Sequence, residues 1–145
     1  MFVVIFEVRP RPERLDDYRA LARQLRPKLE AIDGFIDNER FSSTRRAGRM
    51  LSLSTWRDEK AVVRWRTQPD HYRVQQAGRR EIFADYHLRV GEVTADSAPP
   101  PGLGVEERRF DETEVGAARR VTISEQAPRP GAALDPATLP AALGL

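Results

Sequence analysis

Residues 1–8 read MFVVIFEV, with Phe2, Val4, Phe6 and Val8 on one side of an extended chain and Val3, Ile5 and Glu7 on the other. A strand apolar on both sides belongs in the middle of a sheet, covered on each face. Working outward, Pro10 and Pro12 break the strand, and Leu15, Tyr18, Leu21, Leu25, Leu29 and Ile32 then recur at spacings of three and four. That spacing predicts an amphipathic helix, kinked near Pro27 and closed by Asp33-Gly34. Two alternating stretches follow, residues 35–45 and 50–56, joined across Arg46-Ala47-Gly48-Arg49, and they predict a hairpin. Asp58 can cap a second helix carrying Val62 and Trp65, and Pro69 interrupts it. Its continuation, to about residue 84, puts His71, Gln75 and Gly78 at helical spacing, and residues 86–93 form a last strand.

Strand, helix, hairpin, helix, strand is the ferredoxin-like βαββαβ order, an α+β fold. We assign it residues 1–95, with a Pro-rich linker over 96–104 and a C-terminal extension over 105–145 holding a hairpin and a short helix. Two helices cover one face of a four-stranded sheet. The other face, assigned here to Phe2, Val4 and Phe6 with Met50 and Val93, then calls for a second sheet, so a homodimer is expected. The extension is expected to cover a sheet edge, either in cis or across that dimer, with exchange across the dimer favoured by the reach of the linker.

Composition narrows the chemistry. The 145 residues contain no cysteine, which excludes disulfides, thiolate nucleophiles and Cys-ligated metals. Two histidines, His71 and His87, stand too far apart for a ligand motif, so no metal site is expected. The net charge is only +2, carried by 22 Arg against 2 Lys, and the arginine pairs are not interleaved with aromatics. Nucleic acid is therefore not an expected partner. No apolar run is long enough to span a bilayer or serve as a secretory signal, so neither a membrane partner nor export is expected and the location expected is cytoplasmic.

Met1–Val8, the Asp33-Gly34-Phe35-Ile36 turn, Leu51-Ser52-Leu53-Ser54-Thr55-Trp56-Arg57, Trp65-Arg66 with Asp70-His71, and Gln75-Gln76-Ala77-Gly78-Arg79 together resemble the antibiotic biosynthesis monooxygenase superfamily over residues 1–95. The resemblance implies a dimeric α/β barrel closed by two sheets, with a pocket between the helices and the sheet of each protomer. Val3, Ile5 and Glu7 would line that pocket, with Trp65, His71, Gln75 and Arg79 above. It also implies one of two oxygenase chemistries. In the cofactor-free branch an aromatic or polyketide-like substrate is deprotonated and reacts with dioxygen directly; His71 or Glu7 would be the base, Trp65 the stacking wall, and Gln75 or Arg79 the donor to the developing anion. The asparagine and tyrosine of that branch correspond to Ser52 and Val62. In the haem-degrading branch Trp65 matches, but the first-strand asparagine is Glu7 and the proximal histidine is Gln75, leaving His71 as the iron ligand one turn earlier. A non-catalytic binding module on the same scaffold is the third reading.

Individual residues carry simpler readings too. Trp56 at a strand end reads as structural, and Trp65 on an apolar stripe reads as core. Glu7 needs a cavity, a proton or a partner, with Arg9, Arg79 and Arg89 as candidates for the last.

Overall fold

The computed structural model describes residues 1–105 and, beyond them, Ile123, Glu125, Ala127, Pro130 and Gly131. The chain separates into two compact units, Met1–Arg108 and Arg109–Leu145. Of the second, the described positions include a turn at Pro130-Gly131, with Gly131 at φ 83°. The hairpin expected between residues 105 and 126 and the helix expected over 135–144 lie, apart from isolated positions, outside the described residues.

In the first unit the elements are β1 (Phe2–Pro10), α1 (Leu15–Glu30), β2 (Phe35–Ser42), β3 (Met50–Trp56), α2 (Glu59–Thr67), α3 (Pro69–Ala77) and β4 (Phe83–Glu92). A short 3₁₀ turn precedes α1, and one π-helical segment, Gly78–Ile82, joins α3 to β4. The sheet order is β2-β3-β1-β4, antiparallel throughout, which is the ferredoxin-like α+β arrangement. β1 is central, as its two apolar sides require. α1 runs through Pro27 to Glu30. The turn into β2 needs Gly34 at φ 90°, where a Cβ would also lie 2.6 Å from that of Ala61. Asp58 caps α2 by accepting from the Ala61 amide at 2.8 Å, as its sequence position predicts. Among the described residues no helix is long and apolar enough to cross a membrane.

The helices pack on one face of the sheet in two core clusters. Leu29, Trp56, Ala61 and Val62 form the first, joined by Phe2 and Val4; Val8, Tyr18 and Ile82 form the second, joined by Phe6 and Met50. This reverses the face assignment made from sequence. Phe2, Val4, Phe6 and Met50 are helix-covered, and the opposite face carries Val3, Ile5 and Glu7 with their cross-strand partners Thr55, Leu53 and Leu51. Alternation in a strand apolar on both sides defines two faces without saying which one a helix takes. The bulkier side chains, Phe2 and Phe6, fill the space between sheet and helices.

Candidate active site

A cavity of about 200 Å³ lies between that sheet face and the helices. Its floor is polar as well as apolar: beside Val4 and Phe6 stand Asn38, Ser52 and Ser54, the inward residues of β2 and β3. Asn38 donates from Nδ2 to Ser52 Oγ at 2.8 Å and to the Leu53 carbonyl at 2.9 Å, so its amide is fixed in orientation. Leu88 and Val90, opposite Phe6 and Val4 on β4, also line the cavity yet are 50% and 52% exposed. The cavity therefore opens over the β4 edge.

The roof is α2, α3 and the π-helical segment, and its centre is His71. Gln68 sets the start of α3: its side-chain oxygen accepts from the His71 amide at 2.7 Å, and Pro69 occupies the first helical position, where a missing N–H costs nothing. The His71 ring lies flat on Trp65, with centroids 4.0 Å apart and planes at 17°. Its Nδ1 is 2.9 Å from the Trp65 carbonyl. A carbonyl only accepts, so Nδ1 carries the proton and Nε2 is the ring's acceptor. Gln75, one turn on, places its amide nitrogen 3.3 Å from that Nε2. Burial lowers the pKa of His71 below the ordinary value, with the Trp65 carbonyl pulling weakly the other way. The ring is a neutral base with a defined tautomer, facing a cavity.

Arg79, in the π-helical segment, lines the same cavity as His71 and Gln75. Its guanidinium lies over the Tyr86 ring, 5.7 Å from the centroid, at the open side. Gly78 beside it leaves room for Phe83, whose Cζ would be 2.5 Å from a Cβ at that position. On α1, Tyr18 is a buried phenol in the cavity wall; burial raises its pKa and Arg40, bonded to it from β2, opposes the rise.

The structure thus brings together Trp65, His71, Gln75 and Arg79, all named from sequence, and leaves out Val3, Ile5 and Glu7, which point from the other sheet face. Glu7 is instead paired with Arg89 at 2.5 Å, as anticipated, and with Arg49 at 3.4 Å, which was not; Arg49 continues to Asp85 at 2.8 Å. Glu7 is accordingly an ion-pair residue on the far side of β1 from His71. Trp56 is fully buried and donates to Ser54 Oγ at 2.9 Å, a structural role. Sequence reasoning missed Tyr18, Asn38 and Arg40. The available signal was in β2 and β3, where Asn38, Arg40, Ser52 and Ser54 fall on the side shared with Trp56; a polar set on an inward face marks a cavity wall.

Among the described residues no group of three or more His, Asp or Glu could hold a metal ion. The donor set also fits haem poorly. A proximal ligand must present an unobstructed ring nitrogen, whereas His71 is stacked on Trp65 with Nε2 beside Gln75, so the tryptophan is not free to press on a porphyrin either.

Comparison with known proteins places these features in context. The family model described as antibiotic biosynthesis monooxygenase matches residues 1–77. A jasmonate monooxygenase of Pyricularia oryzae is 48% identical over 141 residues, which cover 94% of this chain and 66% of that protein, so the chain spans just under two thirds of the relative's length. Among solved structures, a Mycobacterium tuberculosis protein, Rv0793, superposes with a TM-score of 0.59 at 22% identity over 67% of this chain and 98% of its own. A crystal structure of an antibiotic biosynthesis monooxygenase gives 0.57 at 18% identity, covering 66% of this chain and all of that one. These two likenesses concern the fold alone.

Proposed function

The chain belongs to the antibiotic biosynthesis monooxygenase family, and from that premise we propose that it is a cofactor-independent monooxygenase in which His71 is the general base. The observation that carries this reading is the neutral His71 ring in the cavity lining, with its proton fixed on Nδ1 by the Trp65 carbonyl and its Nε2 lone pair met only by the Gln75 side-chain amide. The substrate class is a small, largely apolar molecule, aromatic or polyketide-like, bearing a C–H acidified by a phenol or ketone. Jasmonate, which the Pyricularia relative's name gives as its substrate, is a small ketone of comparable size.

With substrate bound, the Gln75 amide N–H passes from His71 Nε2 to the substrate oxygen; Nε2 then removes the acidic proton and Gln75 holds the resulting anion. The substrate anion gives one electron to dioxygen, the radical pair combines to a peroxide anion at that carbon, His71 returns its proton to it, and loss of water from the hydroperoxide leaves a carbonyl. A CH₂ group and O₂ become C=O and H₂O, so no external reductant enters. Trp65, stacked under His71, keeps the ring from rotating.

The same reading includes a homodimer through the face of Val3, Ile5, Leu51 and Leu53, the apolar columns against which no helix of the described residues packs.

The test is oxygen uptake by purified, chelator-treated protein with anthrone and with jasmonic acid. Turnover above buffer that survives metal and haem removal supports the proposal. Absence of turnover with both compounds, or turnover that returns only with added hemin or metal, overturns it.

A further inference from the structure

The lining of the cavity is unbalanced in charge. Four arginines, Arg26, Arg40, Arg66 and Arg79, contribute to it, and among the described residues neither Asp nor Glu does. Two of the four are engaged: Arg26 with Glu30 at 2.7 Å, and Arg40 with the Tyr18 hydroxyl. Arg66 and Arg79 have no carboxylate within ion-pair distance among the described residues. A cavity mouth that gathers unpaired guanidinium groups beside an apolar floor is complementary to a molecule with an apolar body and an anionic end.

Arg79 is the better placed of the two. It lies in the π-helical segment just beyond α3 and lines the same cavity as His71 and Gln75, so one ligand in that cavity can meet all three side chains. The Tyr86 ring, 38% exposed at the opening, lies under the guanidinium, whose carbon is 5.7 Å from the ring centroid. Among the described residues no hydrogen bond or ion pair engages the Arg79 N–H donors, which can serve as a fork for two oxygens of one acid group. Tyr86 and Gly78 thus present an oriented anion receptor at the rim while the neutral His71 stays inside.

We infer that the cavity selects organic acids, and that Arg79 is the specificity-determining residue that holds their carboxylate at the mouth over Tyr86. This deepens the proposed function by naming the polar end of its substrate; it rests on that reading for what happens at the other end, but binding is measurable apart from turnover.

The experiment is a fluorescence titration, using the half-buried Trp65 as reporter, with two matched pairs: decanoate against decan-1-ol, and jasmonic acid against its methyl ester. Each acid is expected to bind about tenfold or more tightly than its neutral partner, the scale of a bidentate charge-assisted contact. Arg79→Gln brings acid and neutral compound to parity without weakening the neutral one, Arg79→Lys restores part of the preference, and Arg26→Gln leaves it whole. Equal affinity within both pairs in the wild type, no saturable binding by any of the four, or a preference that persists in Arg79→Gln each overturns the inference. Arg79 is exposed, so the variant folds; circular dichroism verifies it. Acid preference without oxygen uptake leaves the receptor standing and removes the catalytic reading, and uptake without acid preference does the reverse.

Discussion

At the scale of single residues, His71 joins the site geometry to a pH dependence with a definite sign. Burial holds its folded pKa below the ordinary 6.5, so the base form persists to lower pH than an exposed imidazole would allow. Under the proposed mechanism kcat/KM rises with pH through an ionisation below 6.5 and is flat above it; a rate profile with its midpoint at or above 6.5 contradicts the assignment. His71→Phe keeps the stack on Trp65 and removes the lone pair, and the expected loss in kcat is on the order of 10²–10⁴. The same depressed pKa bears on stability. The unfolded chain binds a proton at His71 more readily than the folded one, so the contribution is intact above the unfolded value near 6.5 and is lost as pH falls from there through the folded pKa. His71→Phe should flatten that part of the melting profile. Glu7 shows what a single residue cannot announce. A carboxylate in an apolar strand demands a partner, and Arg89 was foreseeable, but the side of the strand it occupies depends on the helices and not on its own chemistry.

At the scale of elements, the segments written in strong local signals were legible. β1, α1, the β2–β3 hairpin and the Asp58 cap follow from alternation, three-four spacing, glycine turns and an N-cap aspartate. The end of α3 was not. The sequence expects one helix to about residue 84, whereas α3 stops at Ala77 and five π-helical residues carry the chain into β4 at Phe83. Gly78 is where the geometry changes, because the Phe83 ring packs against its Cα with no room for a side chain. Phe83 is itself held by Phe6, Tyr18 and Tyr86 at centroid distances of 5.7, 6.1 and 5.9 Å, so it has nowhere to retreat. Gly78→Ala is expected to cost about 1–3 kcal/mol by overpacking despite the better helix propensity of alanine. It should also disturb the Arg79–Tyr86 contact. A denaturant melt with an unchanged midpoint would show that Phe83 can move after all.

At the scale of the whole molecule, the corrected sheet faces change how association must be tested. With Phe2, Val4 and Phe6 under the helices, Val4→Asp would break the core of one protomer and say nothing about a second. The informative position is on the opposite face, where Leu53 stands between Ile5 and Glu39 in a column across three strands. The charges at one end of that face, Arg89–Glu7–Arg49–Asp85, are balanced two against two. A second copy brought against the face therefore meets apolar columns and, at that end, a neutral network. At about 25 cal/mol per Å² the buried columns outweigh the ordering costs of association only if the face is used broadly. The wild type is accordingly expected to sediment at twice 16.5 kDa at micromolar concentration. Leu53→Asp, which would leave an unpaired charge at the centre of the contact, should reduce it to a single chain or abolish its melting transition. Leu88→Asp, an equal insult on the cavity side where the chain is already open, should sediment as the wild type does. A folded wild-type monomer would remove the dimer, whereas a dimer that survives Leu53→Asp and dissociates with Leu88→Asp would place the contact on the other side of the sheet, over the mouth of the cavity.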